Sequence, residues 1–134
     1  MVSNSTTPPN QVADNEVLAR FIRFGSWVRQ NNSVKPDAFM PHPETLDVSV
    51  IRHLNTPDDD LWLIGEQIVG ATVERKLKGR ADLAAVEARN QSLTVDPSPP
   101  PVNHAVIVGW PREKDKQKLI ASELAAKATF FPRP

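Results

Sequence analysis

Residues 102–111 read VNHAVIVGWP and form a short, nearly continuous apolar segment that Gly109, Trp110 and Pro111 bring to an end. A run of roughly four to eight apolar residues between turn residues is typical of a strand buried on both faces. Such a strand needs neighbours on both sides, so the segment predicts a packed domain. It also places His104 at the start of the strand, where a catalytic residue could lie.

The regions flanking this strand predict one further strand and one helix. A closing helix is expected from about Pro111 to Ala128. On the N-terminal side, Arg80–Asp96 is predicted to be strand-like with a bulge, because Ser92–Val95 favours a strand. This segment also leads into a proline-rich turn at 96–101.

Three more elements are predicted nearer the N-terminus. The spacing of apolar residues favours a helix from Asp14 or Asn15 to about Phe24. Alternation across Leu46–Arg52 indicates a half-buried strand. A second helix is expected to begin with Thr56 as N-cap and Pro57 in the first turn, and to end between residues 73 and 79.

Together these elements predict a small single-domain α+β protein. About three strands would be packed by two or three helices, with long proline-rich loops, since the 134 residues include 13 prolines. Residues 1–13 are polar and are predicted to be a disordered N-terminal lead, and residues 14–134 to be the domain.

Composition and motifs exclude several classes of protein. The chain has no cysteine, which rules out disulfides, thiolate metal sites and a cysteine nucleophile. It shows neither a signal-peptide pattern nor an apolar run of about 20 residues, so a cytoplasmic protein without membrane contact is expected. The Gly-rich phosphate-binding motifs are missing, and no cofactor or metal is expected.

Charge is uneven along a chain whose net charge is zero. Residues 1–67 carry five basic and nine acidic side chains, or −4, whereas residues 68–134 carry eleven and seven, or +4. The densest basic run contains Arg75, Lys76, Lys78 and Arg80. One hypothesis is therefore a non-catalytic nucleic-acid-binding protein that contacts the phosphate backbone through this run.

Histidines support a second hypothesis. His53 and His104 lie at the ends of predicted strands, where two imidazoles can act as general base and general acid. With Arg52 holding a phosphate, they would form a metal-independent ribonuclease or phosphodiesterase. The pair resembles that of the two-histidine phosphoesterases, but those enzymes carry Thr or Ser two residues after each His, where this chain has Asn55 and Val106.

The hypothesis favoured at this stage is a small accessory or regulatory protein that acts by binding another protein of the same system. Trp110, between glycine and proline, is expected to be partly exposed, and Phe39 and Met40 lie in an extended loop. Such side chains are typical anchors of protein interfaces. The thin repertoire of catalytic motifs favours binding over catalysis, and the oligomeric state stays open.

Overall fold

The computed structural model describes residues 10–134. The elements are β1 (Val17–Ile22), β2 (Val48–Arg52), α1 (Asp58–Val69), β3 (Gly79–Ala84), α2 (Ala85–Asn90), β4 (Thr94–Pro97), β5 (His104–Val108), α3 (Lys114–Lys127) and β6 (Thr129–Pro132), with 3-10 turns at Gly25–Trp27 and Pro36–Phe39. Residues 1–9, most of the predicted lead, lie outside the described residues. Within the rest of that segment, Val12 is buried and its carbonyl accepts a hydrogen bond from Arg89.

All six strands form one antiparallel sheet in the order β4-β5-β2-β1-β3-β6. A small single-domain α+β protein is therefore confirmed, but the expected three strands understate the sheet. The prediction missed β1 and β6, and it treated the segment that holds both β3 and β4 as a single strand. Strand β6 is only four residues long and ends in proline, so it carries too little alternation to stand out in the sequence.

Strand β1 replaces the helix predicted before Phe24. It is the centre of the sheet, paired with β2 on one side and β3 on the other. Leu18 and Ile22 are buried on one face and Ala19 and Phe21 on the other. Burial on both faces makes the apolar residues nearly continuous, and this pattern imitates helical spacing over a short window.

The main core lies on the sheet face covered by α2, α3 and the turn at Pro36–Phe39. Its largest fully buried side chains come from several strands and α3, and include Leu18, Ile107 and Leu124. Helix α3 begins three residues later than predicted and ends one residue earlier.

A second, smaller core lies on the opposite face and is covered by α1. We call it the second core; it consists of Ala19, Phe21, Ile51, Leu61, Trp62 and Leu77. Helix α1 begins at Asp58, close to the prediction, but Thr56 does not cap it through its side chain. Its hydroxyl instead accepts a hydrogen bond from Asn103 Nδ2 at 3.0 Å.

Segment 80–96 contains a helix that the strand-like prediction missed. The chain leaves β3, forms α2 over Ala85–Asn90, and turns into β4 through Ser92, whose φ is +63°. Alanine has the highest helix propensity of all residues, so Ala85 and Ala88 favour the helix.

Strand β5, from the opening stretch, is buried on one face and not on both. Ala105 and Ile107 are fully buried in the main core, whereas Val106 and Val108 are half-buried on the second face, outside the second core. Helix α1 therefore covers one part of the second face, and the part formed by β5 and β4 stays open.

Candidate functional site

The predicted basic run lies largely in the loop that joins α1 to β3, residues 70–78. Helix α1 ends where Gly70 adopts left-handed backbone with φ of 66°, which costs glycine little because it has no Cβ. A tight turn follows, in which the Arg75 amide donates to Thr72 Oγ1 at 3.0 Å. Leu77 then anchors the loop in the second core.

This loop presents three of the four predicted nucleic-acid-binding cations to solvent. Arg75, Lys76 and Lys78 are exposed, while Leu77 between them is buried. The buried Leu77 side chain therefore anchors the loop, while the three charged side chains point to solvent. Within residues 10–134, none of these three cations forms a salt bridge.

Arg80, the fourth predicted cation, does not share this exposure. It belongs to β3 and is 5% exposed, with Nε 3.1 Å from Asp82 Oδ1. Its guanidinium carbon also lies 4.7 Å from the centroid of Trp62, a cation–π distance. Arg80 therefore stabilises the packing of α1 on the sheet and is not placed to contact a phosphate backbone.

A cleft of about 550 Å³ lies between the loop and the end of β1. Arg75, Lys76 and Lys78 line it on one side, and Arg23 and Phe24 on the other. Glu74 is the acid in its lining. Four cations facing one acid make this cleft electropositive, so it attracts anions.

Phe24 gives the cleft an exposed aromatic ring. The side chain is 46% exposed, an unusual state for phenylalanine. Trp27 meets the ring edge-to-face with centroids 5.1 Å apart, and the Arg23 guanidinium carbon lies 5.0 Å from the ring centroid. The ring is therefore held in place beside the cations.

A neighbouring cleft of about 710 Å³ shares Lys76 and Lys78 and adds Arg133. Arg133 donates to Glu66 Oε2 at 3.0 Å, so its charge is partly compensated. Positive potential thus extends along both sides of the loop.

The two predicted catalytic histidines turn towards different strands. His53 Nε2 donates to Asp82 Oδ1 on β3 at 3.2 Å. His104 contacts Ser49 on β2 through Nε2 at 2.5 Å, and the Ser98 carbonyl accepts from its Nδ1 at 2.7 Å. Each ring is therefore committed to its own partners, and no hydrogen bond joins the two in the described part of the chain.

Arg52 is not available to hold a substrate phosphate beside these histidines. Its side chain is fully buried, and Nε and Nη2 donate to the two carboxylate oxygens of Glu16 at 2.7 and 2.8 Å. Successive strand residues point to opposite faces, so Arg52 and His53 do not share a face. Arg52 therefore does not join the two histidines in one site, and His53 and His104 have different hydrogen-bond partners.

Two of the three predicted protein contacts are inside the domain. Phe39 is fully buried. Trp110 is 6% exposed, against the expectation of partial exposure, and its Nε1 donates to the Ile107 carbonyl at 3.0 Å. Met40 is half-buried and packs against the main core. These residues stabilise the fold, since all three belong to or pack against the main core, where large apolar side chains are most often found.

No known protein family, curated protein or solved structure matches this chain. Among residues 10–134, no helix combines the length and apolar character needed to cross a bilayer. The same residues contain no group of three or more His, Asp or Glu side chains suited to a metal ion.

Sequence reasoning missed two of the residues that complete the basic cleft. Arg23 and Phe24 are some fifty residues before the loop, at the end of a segment that was predicted to be a helix. Only the antiparallel pairing of β1 with β3 brings Ile22 beside Gly79, and so Phe24 towards Lys78. An Arg-Phe pair followed by Gly25 was the available signal, because glycine often marks the end of an element.

Proposed function

We propose that this chain is a non-catalytic nucleic-acid-binding protein that takes a single strand in the basic cleft. The observation that carries the proposal is the juxtaposition of Arg23 and Phe24 with three cations of the 70–78 loop around one cleft. Phosphate contacts provide affinity without reading sequence, and each requires an accessible cation.

The aromatic ring favours a single strand over a duplex. Proteins that bind single strands combine a positive groove with side chains on which unpaired bases stack. Phe24 is the exposed ring in this cleft and Arg23 lies against it. A duplex keeps its bases stacked on each other and offers none to this ring.

Binding of fluorescently labelled single-stranded DNA and RNA, followed by anisotropy, tests the proposal. The triple variant R75A/K76A/K78A is expected to bind at least about tenfold more weakly, because it removes three phosphate contacts. F24A is expected to lose about 1–3 kcal/mol of binding free energy on single strands.

The matched control is K114A/K116A/K127A, which removes the same charge from exposed positions on α3. It is expected to retain most of the affinity. Equal losses in both triple variants, or tighter binding of the matching duplex, would contradict the proposal.

A protein-binding accessory role, favoured by the sequence, is the second candidate. Val106 and Val108 support it, because they are half-buried on the part of the second face that α1 leaves open. Under this alternative, a partner protein co-purifies with the chain and stays bound after nuclease treatment.

A further inference from the structure

Ser49 and His104 form a cross-strand pair on the open part of the second face. In the β2–β5 register Ser49 is opposite Val106 and His104 is opposite Ile51, so the two polar residues are diagonal neighbours on one face. Both are half-buried, and the distance between Oγ and Nε2 is 2.5 Å. This is at the short end of hydrogen bonds between side chains.

A backbone carbonyl fixes the tautomer of His104. The Ser98 carbonyl can only accept, so the 2.7 Å contact places the proton on Nδ1. In the neutral ring the lone pair is then on Nε2, which accepts the hydrogen bond from the Ser49 hydroxyl. A nucleophile, a base and a group that orients the base are the parts of an activated serine.

Ser49 is half-buried on the part of the second face that β2 shares with β5. Its backbone carbonyl accepts a hydrogen bond from Arg20 Nη1 at 3.1 Å, and its hydroxyl contacts His104. On the same face, Thr94 and Asp96 of the edge strand β4 are exposed.

We propose that Ser49 is an activated serine that reacts with electrophilic acyl and phosphonyl donors, with His104 as general base. Ser49 Oγ forms a bond to the carbonyl carbon or phosphorus while its proton passes to His104 Nε2. The bond to the leaving group breaks, and that group leaves with the electron pair and takes up a proton. The product is an ester of Ser49.

A fluorophosphonate probe tests this reaction directly on the full chain. The O–P bond forms, the P–F bond breaks with release of fluoride, and the protein gains the mass of one phosphonyl group. Peptide mapping is expected to place the adduct on Ser49, and S49A is expected to abolish it. S122A is the control, because Ser122 is also half-buried but its hydroxyl donates to the Lys118 carbonyl and, within residues 10–134, forms no hydrogen bond with a histidine.

The variant H104N isolates the role of the base. Its amide can still donate towards the Ser98 carbonyl but cannot take a proton, so labelling is expected to slow by about 100-fold. An adduct on Ser49 that requires His104 supports the proposal. No adduct on Ser49, or equal rates in H104N and the parent chain, overturns it.

The absence of cysteine provides a second measurement if H104N fails to fold. S49C introduces a single thiol beside His104, and S122C introduces one at a position that is not hydrogen-bonded to a histidine. Iodoacetamide is expected to alkylate S49C about tenfold faster, because a neighbouring imidazole favours the thiolate. Equal alkylation rates would overturn the proposal, and neither result bears on the basic cleft, which shares no residue with this pair.

Discussion

Arg52 has a different role in the structure from the one that its position in the sequence suggested. In the sequence it is a cation next to His53, and this position suggested a phosphate-holding role. In the structure its guanidinium is fully buried and donates to both carboxylate oxygens of Glu16. A buried charge needs a partner, and Glu16 is 36 residues away in the chain, so sequence spacing gave no sign of it.

Glu16 should make stability depend on pH in the acid range. Burial alone raises the pKa of this carboxyl, but hydrogen bonds from Arg52 and Ala13, together with the charge of Arg52, outweigh burial and lower it below 4.5. A carboxyl with a lowered folded-state pKa stabilises the protein fully above its unfolded-state value. This contribution is lost as the pH falls through the folded-state pKa.

We expect E16Q to lower the free energy of unfolding by about 2–3 kcal/mol at pH 7, because it replaces the carboxylate that accepts two hydrogen bonds from the buried Arg52 with a neutral amide. Urea denaturation at pH 7 and again below pH 4 measures the effect. The difference between E16Q and the parent chain should narrow at the lower pH, as Glu16 takes up its proton.

The exposed pair Glu113–Lys116 is the control for this prediction. Exposed ion pairs contribute about 0–1 kcal/mol, so E113Q should change stability little. An E16Q protein as stable as E113Q at pH 7 would show that the Arg52–Glu16 contact does not stabilise the fold.

Helix α1 packs closely against the sheet at a glycine, Gly65. Gly65 is buried in the middle of the helix. A Cβ placed there would lie 2.2 Å from the ring of Phe21 on β1. That ring is 4% exposed and meets Trp62 edge-to-face at 6.1 Å, so it has no free space to move into.

We therefore expect G65A to destabilise the protein by about 1–3 kcal/mol through overpacking. In a helix without this contact, the same Gly-to-Ala change would stabilise the protein by about 1 kcal/mol. A destabilising effect of G65A would therefore show that the contact with Phe21 is close. Urea denaturation measures it. G25A is the control, since no heavy atom lies within 4 Å of its added Cβ, and a G65A protein more stable than the parent would refute the close packing.

The elements that were predicted correctly are those whose sequence signals lie within a few neighbouring residues. Helix α1 was predicted close to its true start because Pro57 and three aspartates mark a helix terminus within a few residues. Strand β6 was missed because Phe130 and Phe131 follow α3 directly and read as its apolar end. Its identity depends on pairing with β3, which is far away in the sequence.

At the scale of the whole molecule, the charges of the two halves of the sequence combine in one cleft. The N-terminal half is acidic overall, but it supplies Arg23 to a cleft whose other cations come from the basic half. The basic run was predicted from the sequence, whereas the aromatic ring beside it was not. Composition could not show which cations the fold would bury, as it does with Arg80.

Salt dependence provides a whole-molecule test of the basic cleft. For single strands, the slope of log affinity against log salt concentration is about −0.7 per phosphate contact. The single variant K76A should therefore make this slope shallower by about 0.7, as measured by anisotropy titrations over a series of salt concentrations. K116A on α3 should leave the slope unchanged, and an identical slope for K76A would exclude Lys76 from the contact.

The position of β1 has a consequence for biosynthesis. Among the described strands, β1 is the first along the sequence and one of the two in the middle of the sheet, and its partners β2 and β3 follow later. While the polypeptide is being translated, this apolar strand is therefore made before both of its partners, and its backbone amides and carbonyls stay unpaired on both sides. During that interval the nascent chain is most open to aggregation and to capture by chaperones.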